Sequence, residues 1–180
     1  MSSQPLLIDN IAFAKRGEHL AGTLSLADCP RLAELLASQA PADSSATGHK
    51  DDLQGSSINF TLDGETNAAG QHFLHLALSG TLITYCQRCL EQMPFKLDLD
   101  FNYLVSNANI DNADAAGLED SDDYDLQEAS QNMDLLALIE DEVIMATPIA
   151  PLHAGNCAHG AMQSGEKPNP FAALKGLIKS

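Results

Sequence analysis

Tryptophan is absent from this chain of 180 residues, and aromatic side chains make up only 5% of it. Bases are scarce as well: 9 Lys and Arg face 25 Asp and Glu, for a formal net charge of −16. A protein that holds nucleic acid by bulk charge needs clustered Lys and Arg at the phosphates, so most of this surface is excluded from that role. The same deficit excludes adsorption to an anionic membrane. No run approaches the roughly 20 apolar residues of a membrane span. Met1 to Asp9 carry neither a cationic leader nor a long apolar stretch, so a cytoplasmic location without a secretory signal is expected. Also missing are a Gly-rich phosphate loop, a Gly-x-Ser-x-Gly elbow, a His-Glu-x-x-His pair and any internal repeat. No enzyme class is indicated, and the charge suits a basic partner or plain solubility.

Apolar residues still reach 44%, which at this length is enough for the core of one domain. Three segments alternate with period two: Leu20 to Leu26, Ile58 to Leu62, and Phe95 to Val105. Strands of that kind bury one face, as antiparallel sheets do. Residues 72–85 read as a longer, more apolar strand with Gly80 as a bulge or bend, and Asp63-Gly64 through Gly70 as the preceding hairpin loop. Helices are expected at 30–38, where Pro30 opens the first turn, at 132–146, capped by Asn132 and stopped by Pro148, and at 170–178. The expected fold is therefore α+β: a curved antiparallel sheet of four or more strands with helices packed against it. Residues 1–180 form a single domain in this reading, with flexible loops near 39–55 and 107–130.

Cys86-Gln-Arg-Cys89 lies between the long apolar strand and the next one. Two thiols on a tight turn aim at one point, which is the first half of a zinc knuckle. His153 and Cys157, just past the long helix, supply a second half, giving a Cys3His set of Cys86, Cys89, His153 and Cys157 with Zn as its cofactor. Two other readings stay open on spacing alone. One is a redox pair, although thioredoxin-like pairs open a helix within a βαβ unit. The other is reduced cysteines, left from an ancestral site or serving only as packing. Cys29 has no partner spacing and is expected as a small buried hydrophobe, and His159 is an alternative to His153.

Glu142 is the odd residue of the long helix. It falls about 20° from Leu135 and about 40° from Ala146, inside the apolar stripe. A carboxylate there must be paired, and Arg88 is the candidate; the alternative is a rim position that reaches water. Glu140 and Asp141 fall outside the stripe. Residues 111–128 hold eight acids and no base, a block that is either a solvated linker or a nucleic-acid mimic offered to a basic partner. Asp122, Asp123 and Asp125 from this block, with Arg88, Glu142 and Phe171, are the candidate partner-binding residues. The Phe171–Ile178 face also suits docking on the protein's own sheet.

The pieces are familiar in order. Cys86-Gln-Arg-Cys89, the Asp134–Pro148 helix, Pro151-Leu-His153 with Cys157, and Lys167-Pro-Asn-Pro-Phe-Ala172 together resemble the YceD family over roughly 19–178, excluding the two loops. That resemblance implies a cytoplasmic bacterial protein needed for accumulation or processing of large-subunit ribosomal RNA. It carries over no catalytic residue. Some members have a Cys-rich second motif after the Pro-Leu stretch; this sequence departs from them with His153, Cys157 and no further Cys. Joined to the charge, the resemblance implies a non-enzymatic factor that binds a basic ribosomal protein or assembly factor, its association with large-subunit rRNA being indirect or transient. The alternatives are a zinc-knuckle module acting directly on rRNA, and a thiol-active or hydrolytic enzyme acting on RNA.

Overall fold

A computed structural model describes residues 5–40, 55–106, 124–155 and 157. Its elements run β1 (Leu7–Ile8), α1 (Asn10–Arg16), β2 (His19–Ser25), α2 (Pro30–Ser38), β3 (Ser57–Thr66), β4 (His72–Tyr85), β5 (Gln92–Ser106), β6 (Asp125–Glu128), β7 (Met133–Asp134) and α3 (Leu135–Ala146). The main sheet has the order β2-β3-β4-β5-β6, and β1 and β7 form a separate two-stranded ladder. The three period-two segments and the longer apolar one become β2 to β5, each antiparallel to its neighbour. Their alternation sets the sides. Leu20, Leu62, Leu76 and Phe101 are cross-strand partners on the inner face, while His19, Asp63, His75 and Asn102 form a polar row on the outer one. The inner face is covered by the helices, with Leu32, Leu36, Ile139 and Val143 fully buried among its leucines.

Several expectations change in detail. The edge strand β6 runs parallel to β5, so the sheet is mixed, with antiparallel pairing confined to β2–β5. Residues 124–130 therefore leave the presumed 107–130 loop, and Asp125 lies exposed at the start of β6. Gln39, placed at the head of the 39–55 loop, is the C-cap of α2. The β3–β4 hairpin is tighter than expected: the strands pair out to Thr66 and His72, leaving five residues, 67–71. Gly64 lies inside β3 because α1 crosses there; a Cβ on it would stand 2.8 Å from both the Ala14 Cα and the Phe13 carbonyl. Gly80 makes no bulge, since its register continues unbroken to Ile58 and to Leu97. It is there for closeness: a Cβ would come within 2.1 Å of the Ser57 carbonyl oxygen.

The long helix starts at Leu135, and its cap is Asp134 in place of Asn132. Pairing of β7 with β1 keeps the chain extended through Asp134, whose carboxylate accepts from the Leu136 and Ala137 amides at 3.1 and 3.3 Å. Asn10, fully buried at the start of α1, ties this corner together. Its side chain donates to the Glu128 carbonyl (2.8 Å) and accepts from the Ser130 amide (2.9 Å). The expected helix at 170–178, with Phe171, and the residues Asp122, Asp123 and His159 lie outside the described residues.

Candidate metal centre

Between β4 and β5 the chain reverses through Cys86 to Glu91. The Cys86 amide donates to the Glu91 carbonyl at 2.9 Å and the Leu90 amide to the Cys86 carbonyl at 2.8 Å. The reversal forces Leu90 into the left-handed region (φ 61°), a conformation that L residues with a Cβ adopt at a cost. After α3, the chain returns to this turn, where the Gln87 amide donates to the Pro151 carbonyl at 2.9 Å. Gln39, at the end of α2, braces both sides. It bonds the Thr84 hydroxyl, donates to the Pro148 carbonyl at 3.3 Å, and receives the Gln87 side chain on its own carbonyl at 3.2 Å.

These backbone contacts bring Cys86, Cys89, His153 and Cys157 together, with their ligand atoms all within 4.8 Å of one another. Two edges of the cluster are tighter: Cys86 Sγ to Cys157 Sγ is 3.6 Å, and Cys89 Sγ to His153 Nδ1 is 3.4 Å. A tetrahedral zinc with sulfur at about 2.3 Å and nitrogen at about 2.0 Å separates two sulfurs by about 3.8 Å and a sulfur and nitrogen by about 3.5 Å. The donor set and those edges fit that ion. All four cysteines are free thiols, and Cys86 is fully buried.

The electrostatics of the thiols differ sharply. Burial raises the Cys86 thiol, but the amides of Cys89, His153 and Arg88 and the Cys157 thiol all favour its thiolate, bringing it down to about 5. Burial and the neighbouring Cys86 and Cys89 push Cys157 up to about 11. A metal taking both sulfurs binds them as thiolates and displaces whatever proton the pair carries. Cys29 is not part of this group and is fully buried, as its isolation in the sequence suggested; burial, then Glu140 and Asp28, raise it to about 12.

Arg88 and Glu142 do not pair. Arg88 lies exposed on the turn and donates to the Gly155 carbonyl at 3.3 Å. Glu142 is half-buried and accepts the Tyr103 hydroxyl at 2.8 Å. Tyr103, raised first by burial and then by that bond, stays a phenol. The buried carboxylate of α3 is instead Glu140, whose side chain is 7% exposed. Its Oε1 accepts the Arg31 and Leu32 amides at 2.6 and 3.0 Å, and its Oε2 accepts Arg31 Nε at 2.8 Å. Those amides belong to the first turn of α2, whose own N-cap residue, Cys29, contributes no side-chain bond. Glu140 thus caps α2 from another helix and lays a negative charge at its positive end. Helical periodicity counts apolar neighbours and carries no term for a facing helix end, so it hid this role.

Residues 74–178 match the model of the family described as Large ribosomal RNA subunit accumulation protein YceD. The chain belongs to the YceD family. The matched stretch contains the Cys-x-x-Cys turn, α3 and the His153–Cys157 segment, so the whole candidate metal set falls within it. A curated relative, the Large ribosomal RNA subunit accumulation protein YceD of Haemophilus influenzae (strain ATCC 51907 / DSM 11121 / KW20 / Rd), is 34% identical over 102 residues, covering 51% of this chain and 57% of the relative. The chain thus spans somewhat over half the length of that YceD protein. No solved structure matches. Among the described residues no helix is long and apolar enough to cross a membrane.

Proposed function

We propose that this YceD chain acts in the cytoplasm as a non-enzymatic factor supporting accumulation of large-subunit ribosomal RNA, with zinc closing its Cys3His set and a basic ribosomal protein or assembly factor as its direct partner. Family membership supports the link to ribosomal RNA. The observation that carries the choice of partner is the net charge of −16, which repels a polyanion and attracts a cationic protein. Zinc, when bound, supplies a cross-link and no chemistry on a substrate. Cys86 and Cys89 fix it to the β4–β5 turn, and His153 and Cys157 fix it to the segment after α3.

The test is a pull-down of the purified, metal-loaded chain against purified large-subunit ribosomal proteins, with and without nuclease. Retention of a basic protein after nuclease treatment is the expected result. Binding to RNA alone, weakening steeply with salt, refutes it. Direct RNA contact through the knuckle is the second reading, favoured by the exposed position of Arg88 on the turn; chelation should then abolish RNA binding. A thiol-active enzyme is favoured by the lowered Cys86 thiol, but that sulfur is fully buried, out of reach of a substrate.

A further inference from the structure

Along its middle the outer face of the sheet is polar or small, and an apolar row lies at one end. At the hairpin end, Phe73, Leu104 and Leu126 are cross-strand partners in one row, and Leu104 is buried although it lies outside the main core. The Tyr124 ring stands over this row with its centroid 5.0 Å from that of Phe73 and the planes tilted by 49°. Beside the two rings opens a cavity of about 380 Å³ whose other walls include Asp63, Glu65, His75 and Asn102. Glu65 is the cross-strand partner of Phe73, so a carboxylate and an aromatic face adjoin. A cavity of this size is at the small end of ligand pockets and suits one or two side chains.

The lining selects the charge of its occupant. Asp63 and Glu65 wall the cavity, and Asp98 and Asp100 follow on the same sheet face, where Lys96 is the only Lys or Arg of β2 to β5. His75 is turned towards β5, with Nε2 3.2 Å from Asp100 and Nδ1 3.3 Å from the Asn102 side-chain oxygen. A phosphate or carboxylate ligand would meet two carboxylates here. A metal ion is not what the acids are gathered for, because Asp63 Oδ1 is held 2.6 Å from His19 Nδ1 and the metal-type cluster among the described residues is the Cys3His set. A guanidinium answers all the walls at once: its plane stacks on an aromatic ring while its N–H fork engages a carboxylate.

We propose that this cavity takes an arginine side chain of the basic partner, an inference that rests on the basic-partner reading above and assigns it a docking point. The pocket lies by the β3–β4 hairpin and the Cys3His set by the β4–β5 turn at the other end of β4, so partner binding and metal binding use separate parts of the chain. A lysine fits less well, because its ammonium cannot stack and pair together.

The test uses the full, metal-loaded chain and short fluorescent oligoarginine and oligolysine peptides, read by anisotropy at moderate salt. The wild type should prefer oligoarginine. Glu65→Gln and Tyr124→Ala should each weaken oligoarginine binding by about three-fold or more, while Tyr124→Phe, which keeps the ring, binds as the wild type does. Asp98→Asn removes the same charge from the same sheet face and should leave binding nearly unchanged. Unfolding midpoints equal to that of the wild type show that the variants are folded. If Asp98→Asn weakens binding as much as Glu65→Gln, or Tyr124→Ala has no effect, bulk charge alone is at work. That result overturns the pocket and leaves the basic-partner reading standing. Failure of the wild type to bind either peptide, with RNA bound instead, overturns both.

Discussion

Replacing Glu140 by Ala tests the link between α2 and α3 most directly. The carboxylate is almost enclosed and accepts three bonds, two of them from first-turn amides of α2. Alanine leaves both amides facing a space that water reaches poorly. Each unsatisfied buried amide costs about 1 kcal/mol or more, and the emptied volume adds to that, so the loss should be about 3 kcal/mol. The ionic part adds little, because the Arg31 side chain is 52% exposed and its charge is screened. Glu140→Gln keeps an oxygen for the amides but turns an NH2 towards Arg31 Nε, for a loss of about 1.5 kcal/mol. Arg31→Ala keeps the backbone amides capped and should be the mildest of the three. Urea unfolding of the metal-loaded protein measures these as shifts of the midpoint at constant slope. The cap is refuted if Glu140→Ala costs less than about 0.5 kcal/mol. It is equally refuted if Arg31→Ala matches the loss, because the ion pair would then be the main contact.

Chelation of zinc, or Cys89→Ser, should lower the unfolding midpoint, with metal content by mass spectrometry falling from one equivalent towards zero; a midpoint indifferent to chelator removes the cross-link. Asn10→Ala should cost about 2 kcal/mol in the same urea assay, since it strands the Glu128 carbonyl and the Ser130 amide together. Gly64→Ala pushes on the α1 backbone and should cost about 1–3 kcal/mol, whereas Gly70→Ala, with open space around the site but a φ of 82°, reports conformational strain alone. Cys29 has a folded-state pKa raised from 9.0 to about 12, so its contribution is fully present below 9.0 and is lost as pH rises through about 12. Native protein should accordingly keep Cys29 unalkylated at pH 9–10 while the unfolded chain reacts, as peptide mapping will show; ready modification in the native state would mean that the thiol is accessible.

Alternation along β2, β3 and β5 was legible in the chain because a half-buried strand sets a polar residue next to each apolar one, a constraint written in adjacent positions, and β4 showed as a longer apolar run. The 30–38 helix was legible for a similar reason, with Pro30 at its start and its leucines on one side. Spacing also named the four metal-type ligands, since a Cys-x-x-Cys turn leaves its sulfurs on one side and a second pair follows the next long helix. Other features depend on partners far away in sequence. Glu140 looked like a solvated residue until α2 set two unpaired amides beside it, 108 and 109 residues earlier in the chain. Residues 125–128 looked like part of an acidic linker until β5 offered them an open edge, and hydrogen bonds to an edge do not require apolar side chains. The short α1 has no long periodic stripe, and its place is set by contact with Gly64 and by Asn10 reaching the end of β6. What the sequence by itself determined is which face of each strand is wet and which residue types meet at the turn. Tertiary structure decided which carboxylate is buried, because burial of a charge is tolerable only where another element brings donors to it.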